Sequence, residues 1–278
     1  MKALWVMGLL MAIWGKVDAD QRTMTVQGFS LVNYDSRSEK IVRNTRLMIA
    51  EDFSSQLSGY FHYTAEGVLD KFSYGELIWK PGHGSVDAIS IGKGFPVGGR
   101  TRMKWRIDRN PWITFSSIEK PFPASDYGIT VKGHGQDLKW SVGIYEGKRL
   151  FGNVSKDQLG SDFYFRFERQ ASKSLNIGGG LRLGPVPVQT LDVFYQKGES
   201  TIIGEMIASN GDVGYSVSGT YQIDSRTKMI TRRDWPEGDF RNLIGFTREI
   251  CEGTELKVTY EFGGDQTGLL RAQAALSW

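Results

Sequence analysis

Beyond residue 20 the chain is written in period two rather than period 3.6. In Leu138-Lys139-Trp140-Ser141-Val142-Gly143-Ile144, apolar residues alternate with polar or small ones without exception. Phe163, Phe165 and Phe167 share one side, opposite Tyr164, Arg166 and Glu168. Val213, Tyr215, Val217, Tyr221 and Ile223 oppose Gly214, Ser216, Ser218, Thr220 and Gln222, and Leu256, Val258, Tyr260 and Phe262 oppose Glu255, Lys257, Thr259 and Glu261. Successive strand side chains point to opposite faces, so each segment has one greasy and one polar face. Alternation and turn signals together predict sixteen strands, at 23–34, 41–50, 55–64, 71–80, 86–92, 128–133, 138–145, 162–169, 175–183, 188–196, 201–208, 213–223, 227–232, 241–250, 254–262 and 267–278. No segment after residue 19 sustains a helical period.

A soluble sandwich or jelly roll also alternates, so the pattern alone does not fix the medium. Two features favour a transmembrane barrel. Many polar faces are fully charged, while the apolar faces carry rings near strand ends, as a lipid band with aromatic girdles requires. The chain also closes on a strand, Leu270 to Trp278, whose apolar face finishes at an aromatic residue. A last strand that closes the barrel leaves no edge facing hydrocarbon. The even-to-odd connections are all short, whereas the two longest others are 93–127 and 146–161, the asymmetry expected of outer-membrane barrels.

The N-terminus adds the compartment. Met1-Lys2 precedes an apolar run from Ala3 to Trp14, and Val17 and Ala19 place small residues before a cut after Ala19. This predicts a signal peptide over 1–19 and a mature barrel over 20–278; a membrane anchor is the alternative, but the run is short for a span. Removing 1–19 takes away Lys2, Lys16 and Asp18 and leaves a net charge of +2, too near neutral for bulk nucleic-acid binding. The single Cys251 excludes an internal disulfide framework.

One stretch resists the dyad. Residues 93–127 hold four of the eight prolines, and near their start read Arg100-Thr101-Arg102-Met103-Lys104-Trp105-Arg106-Ile107, a cation at every second position. Extended, this segment is a basic ledge with a mostly apolar underside. Across 93–127, Lys93, Arg100, Arg102, Lys104, Arg106, Arg109 and Lys120 stand against Asp108, Glu119 and Asp126, a net of +4. The predicted inner face of the wall is nearly balanced. Its cations are Arg46, Lys132, Lys139, Arg166, Arg182, Lys257 and Arg271, and its anions are Glu76, Glu168, Asp192, Glu205, Glu255 and Glu261.

The chain resembles bacterial outer-membrane porins, particularly the phosphate-selective porin family. The matching residues are Arg43-Asn44-Thr45-Arg46-Leu47, Ile89-Ser90-Ile91-Gly92-Lys93-Gly94-Phe95-Pro96, Phe115-Ser116-Ser117 and Ala124-Ser125-Asp126-Tyr127-Gly128-Ile129. The resemblance implies a barrel whose connection after the fifth strand folds into the lumen and constricts it, and a homotrimer in outer-membrane lipid. The strand count places the basic segment after the fifth strand independently. The chain is shorter than typical members, and no arginine ladder or phosphate-site lysines match residue by residue.

Charge at the narrowest place governs a pore, because there it is least screened. The expectation is a diffusion channel for small anionic solutes, phosphate among them, with Arg100, Arg102, Lys104, Arg106, Arg109, Arg46, Lys132 and Arg166 along the ion path. Alternatively the loop cations pair with Glu76, Asp192 or Glu205 and only pin the loop, or 99–107 and 112–116 form an extra hairpin and give eighteen strands. A non-conducting structural or adhesive barrel is a further alternative, limited by short outer loops. A barrel hydrolase would need a His with a Ser or acidic partner. His83 and His134 fall in turns, and His62 faces the lumen beside Ser58 and Tyr60. No His/Cys spacing suggests a metal site, and no cofactor is expected.

Overall fold

The computed structural model describes residues 23–66, 69–94, 96, 116–119, 126–146, 162–236, 240–264 and 266–277. Its strands are β1 (Thr23–Asp35), β2 (Lys40–Asp52), β3 (Leu57–Glu66), β4 (Leu69–Trp79), β5 (Val86–Gly94), β6 (Asp126–His134), β7 (Leu138–Tyr145) and β8 (Asp162–Ser172). They continue through β9 (Leu175–Leu183), β10 (Val188–Lys197), β11 (Ser200–Ser209), β12 (Asp212–Gln222), β13 (Thr227–Trp235), β14 (Arg241–Cys251), β15 (Thr254–Gly263) and β16 (Gln266–Ser277). Each pairs antiparallel with its sequence neighbours, and β16 pairs with β1 from Phe29↔Ser277 to Asp35↔Arg271. The sixteen described strands form a closed barrel. Closure leaves no open edge, so the ladder groups are satisfied internally.

The dyad sets which side faces out. Ile144, Phe163, Phe165, Val217, Ile244, Phe246, Val258 and Tyr260 are exposed on the outer surface. Their alternating neighbours Ser141, Tyr164, Arg166, Ser216, Thr247, Lys257 and Thr259 are buried on the inner side. A charged residue is buried here only where it is paired or hydrogen-bonded. The inner wall accordingly carries ion pairs across neighbouring strands.

The two ends differ. At one, the connections are 53–56, 80–85, 135–137, 173–174, 198–199, 223–226 and 252–253; at the other they include 95–125 and 146–161. Strand ends shift from expectation where charge disguised the ladder. β13 runs on through Arg232-Arg233-Asp234 to Trp235 instead of stopping at 232. β5 and β6 extend to Gly94 and back to Asp126, so Lys93, Asp126 and Tyr127 belong to the wall and not to the connection. Lys93 pairs in register with Tyr127, and its ammonium lies 5.9 Å from that ring. The signal peptide over 1–19, the basic run over 100–109, the hairpin alternative over 99–107 and Trp278 fall outside the described residues.

Candidate functional site: the lumen and its inward segment

Between β5 and β6, residues 116–119 are described, with a single 3-10 turn at Ser117–Glu119. They lie inside the barrel. The Ser116 hydroxyl donates to Asp234 Oδ1 at 2.7 Å, and the Ser117 N–H donates to Oδ2 at 3.1 Å. Asp234 stands on β13 directly opposite Ser216 of β12, whose hydroxyl also donates to Oδ1, at 2.7 Å. Arg232 Nε completes the set at 3.2 Å from Oδ2. The carboxylate is buried, and these donors replace the water it has lost.

The ring order shows how far the segment reaches. β13 is eight strands from β5 in a ring of sixteen, on the opposite side of the barrel. Ser116 and Ser117 of the connection between β5 and β6 therefore lie against the wall on the far side of the barrel from β5. Ile118 joins Tyr145, Tyr164, Val188 and Ile207 in a buried cluster contributed by the inner faces of β7, β8, β10 and β11. Burying one Ile side chain is worth roughly 1.5–3 kcal/mol. Gly214 makes room for it: a Cβ there would lie 2.7 Å from Ile118 Cγ2.

The wall cations are largely neutralised in place. Arg166 of β8 stands 2.7 Å from Asp192 of β10, reaching over β9. That reach needs Gly178, where a Cβ would come within 2.8 Å of Asp192 Oδ1 and 2.9 Å of Arg166 Nη2. Arg182 donates through Nε and Nη2 to Asp162 Oδ2 at 2.9 and 2.5 Å. Arg271 of β16 bridges Asp35 of β1 at 3.0 Å and Glu261 of β15 at 2.6 Å, a clasp across the closing seam. Lys257 is fully buried, 3.8 Å from Glu255.

Of the expected ion-pathway residues, Arg166 is on the inner face and in an ion pair. Lys132 is exposed, opposite the buried Ser141, and makes no ion pair among the described residues. Arg46 is placed in β2 opposite Phe29 and Thr64 by register. Arg100, Arg102, Lys104, Arg106 and Arg109 lie outside the described residues. Sequence reasoning passed over Asp234, Ser216 and Ile118, and over the Asp162 partner of Arg182. The alternation Ile230, Arg232, Asp234 against Met229, Thr231, Arg233 was the available signal for Asp234.

Near the short-turn end the inner face opens into a cavity of about 880 Å³ against β12 to β1. Gln27, Lys228, Thr247, Glu249 and Glu255 line it, together with Arg226 of the turn, so its charge is mixed. In that turn the Asp224 carboxyl is held below the ordinary carboxylate range, first by the N–H of Arg226, then by Thr227 and the Arg248 charge. The histidines do not converge. His62 is buried on the inner face with its ring 6.1 Å from that of Tyr60, whereas His134 meets Asp87 at 2.5 Å on the exposed rim. Among the described residues no three His, Cys, Asp or Glu side chains are arranged to hold a metal ion.

No family model and no curated protein matches the sequence. Solved structures do match the fold. Engineered variants of the porin of Rhodopseudomonas blastica superpose with TM-scores of 0.71 and 0.69 at 10% identity, covering 92% of this chain and all of theirs. A structure described under asymmetric conductivity of engineered proteins matches with a TM-score of 0.70 at 10% identity, over 93% of this chain and all of that one. The chain has the porin-like barrel fold.

Proposed function

We propose that this chain forms a water-filled diffusion channel for small anionic solutes across the bacterial outer membrane. The observation that carries the reading is that Ser116 and Ser117 are anchored at Asp234 inside the barrel, within the same connection whose sequence carries the most basic stretch of the chain. Sixteen strands leave a lumen wide enough for water, and an inward connection narrows it. On the wall, Arg166, Arg182, Arg232 and Arg271 are each matched by a carboxylate, so the wall contributes little net charge. The connection contributes Arg100, Arg102, Lys104, Arg106 and Arg109, and Lys132 adds an exposed cation on the wall. Phosphate is a candidate solute because the guanidinium fork suits its oxygens. In this reading residues 1–19 direct export, the short-turn end faces the periplasm, the apolar surface meets outer-membrane lipid, and the resemblance extends to a homotrimer.

Recording single channels in a planar bilayer under a salt gradient tests the proposal. Discrete steps with a reversal potential of anion-selective sign are expected. Cation-selective steps would overturn the selectivity, and an electrically silent barrel would overturn the channel. A non-conducting barrel is the second reading, and the close cover over the inner face favours it. Ile203, Ile230, Leu243 and Lys257 all face inward with at most 2% exposure.

A further inference from the structure

Near the long-connection end, the outer surface of β13 and β14 carries a cation among apolar and aromatic residues. Arg233 lies on the outward side of β13, between Val217 of β12 and Asn242 of β14 in register. The outward neighbours beyond these are apolar or aromatic: Tyr215 on one side and Ile244 and Phe262 on the other. The guanidinium carbon sits 4.8 Å from the Trp235 ring and 5.2 Å from the Phe240 ring. Arg233 is exposed, and among the described residues no carboxylate stands within ion-pair distance of it.

The contrast with the other arginines is consistent. On the inner wall Arg166, Arg182 and Arg232 each have an aspartate. On the outer surface Arg248 stands at the opposite end of the barrel, where its charge acts on Asp224. A guanidinium held against rings on an apolar surface, with no carboxylate paired to it among the described residues, is favoured by a counter-charge from the surroundings. Rings at this level fix the direction of the arginine stem and favour the cation without neutralising it. At the headgroup level of a membrane the available anions are lipid phosphates, and the guanidinium fork donates two parallel hydrogen bonds to such oxygens. Asn242, directly across the ladder, supplies an amide that can add a donor.

We propose that Arg233, with Asn242, Trp235 and Phe240, forms a surface site for the phosphate of an outer-leaflet lipid headgroup. The inference rests on the reading that the barrel spans the outer membrane with its short turns in the periplasm.

Native mass spectrometry of the assembled protein, incubated with bis-phosphorylated lipid A or with its dephosphorylated form, provides the test. The parent should retain the phosphorylated lipid and discriminate against the other. Arg233→Gln should lower retention about tenfold, the effect of losing one charge-assisted contact, and Arg233→Lys should fall between. Arg248→Gln should leave retention unchanged. Equal retention by Arg233→Gln and the parent would overturn the site. Displacement of the lipid by millimolar inorganic phosphate would also overturn it, in favour of a free-anion site. Arg233→Lys keeps the charge, and so carries the comparison if the glutamine variant fails to assemble. A parent that conducts in bilayers but ignores the lipid phosphate sinks this inference alone, whereas a parent that never inserts sinks the membrane reading beneath it.

Discussion

Ser116 donates its hydroxyl to Asp234 at 2.7 Å, a contact between residues 118 apart in the sequence, one in the connection after β5 and the other on β13, across the ring from β5. It joins the connection after the fifth strand to the far wall. The same carboxylate also accepts from Ser117 and Ser216 and is paired with Arg232. Asp234→Ala should therefore release several donors together, each left unsatisfied at about 1–3 kcal/mol. Without its anchor the segment loses the polar hold on β13 that Ser116 and Ser117 make, and single-channel conductance and open-channel noise should both rise. Ser218→Ala, on the same inner face but outside this set, should leave both unchanged. Identical recordings from the two variants would show that Asp234 does not hold the segment.

Gly214 tests the apolar half of the same attachment. A valine there cannot coexist with Ile118 at its present position, since the first added carbon already lies 2.7 Å from Cγ2. Overpacking of this kind costs about 1–3 kcal/mol, and here the inward segment, rather than the ladder, is the part free to yield. Gly214→Val should shift conductance in the same direction as Asp234→Ala, and Ile118→Ala introduced with it should restore most of the parent value. Conductance unchanged by Gly214→Val would place the segment elsewhere during conduction.

The final strand tests the register. Leu276 is exposed on the outer face, while Arg271 is clasped between Asp35 and Glu261. Leu276→Arg puts a charge in the apolar band, at a cost of up to ~2–4 kcal/mol near the midplane and less near an interface, so heat-modifiable assembly should fall. From sequence, Arg271→Leu is a mild lumen change. The seam clasp makes it less mild: assembly should persist, but with a lowered unfolding midpoint, because two carboxylates lose their shared partner. Equal assembly of the two variants would put the register off by one.

How much was legible follows from where the physics is local. The dyad over Phe163 to Glu168 or Leu256 to Phe262 is a property of consecutive residues, so strands, facing and closure could be read directly. The fifth connection was also legible as an exception, because proline and alternating arginine set it apart from every hairpin, whereas its inward direction was implied only by the resemblance to porins. Its anchor was not. Asp234 follows two arginines, and a run of three charges reads as the end of a strand, although the inner face of a barrel accepts them when partners stand on neighbouring strands. The Arg166–Asp192 pair was hidden for a similar reason. Its reach over Gly178 depends on strand order, which appears only once the ladder closes.

The turn after β12 predicts a pH effect whose sign can be worked out. Folding lowers the Asp224 carboxyl below its unfolded value, first through the N–H of Arg226 and then through Thr227. A depressed carboxylate contributes stability that is present above its unfolded pKa, near 3.9, and is lost as pH falls through the folded value. Asp224→Asn should thus lower the urea midpoint at pH 7 and make little difference at pH 2. A larger difference in acid than at neutrality would contradict the assignment.

Selectivity is the decisive property, and the arginines of the connection are where it can be changed with least disturbance. On the wall Arg166, Arg182, Arg232 and Arg271 are paired with carboxylates, so removing one of these cations exposes an anion and disturbs packing at the same time. Arg100, Arg102 and Arg106 fall in the sequence between the described strands β5 and β6. Changing all three to glutamine takes the 93–127 charge from +4 to +1 while leaving the ladders intact. The reversal potential in a salt gradient should then move from anion-selective toward neutral. The difference between parent and variant should shrink as salt rises, because the screening length falls from about 10 Å at 0.1 M to about 3 Å at 1 M, below pore dimensions. Inorganic phosphate that lodges among these arginines should block chloride current in the parent and not in the variant. A variant that keeps the parent's selectivity would mean that the three arginines are paired to carboxylates such as Glu76 or Glu205, and that anion preference must arise elsewhere in the pore.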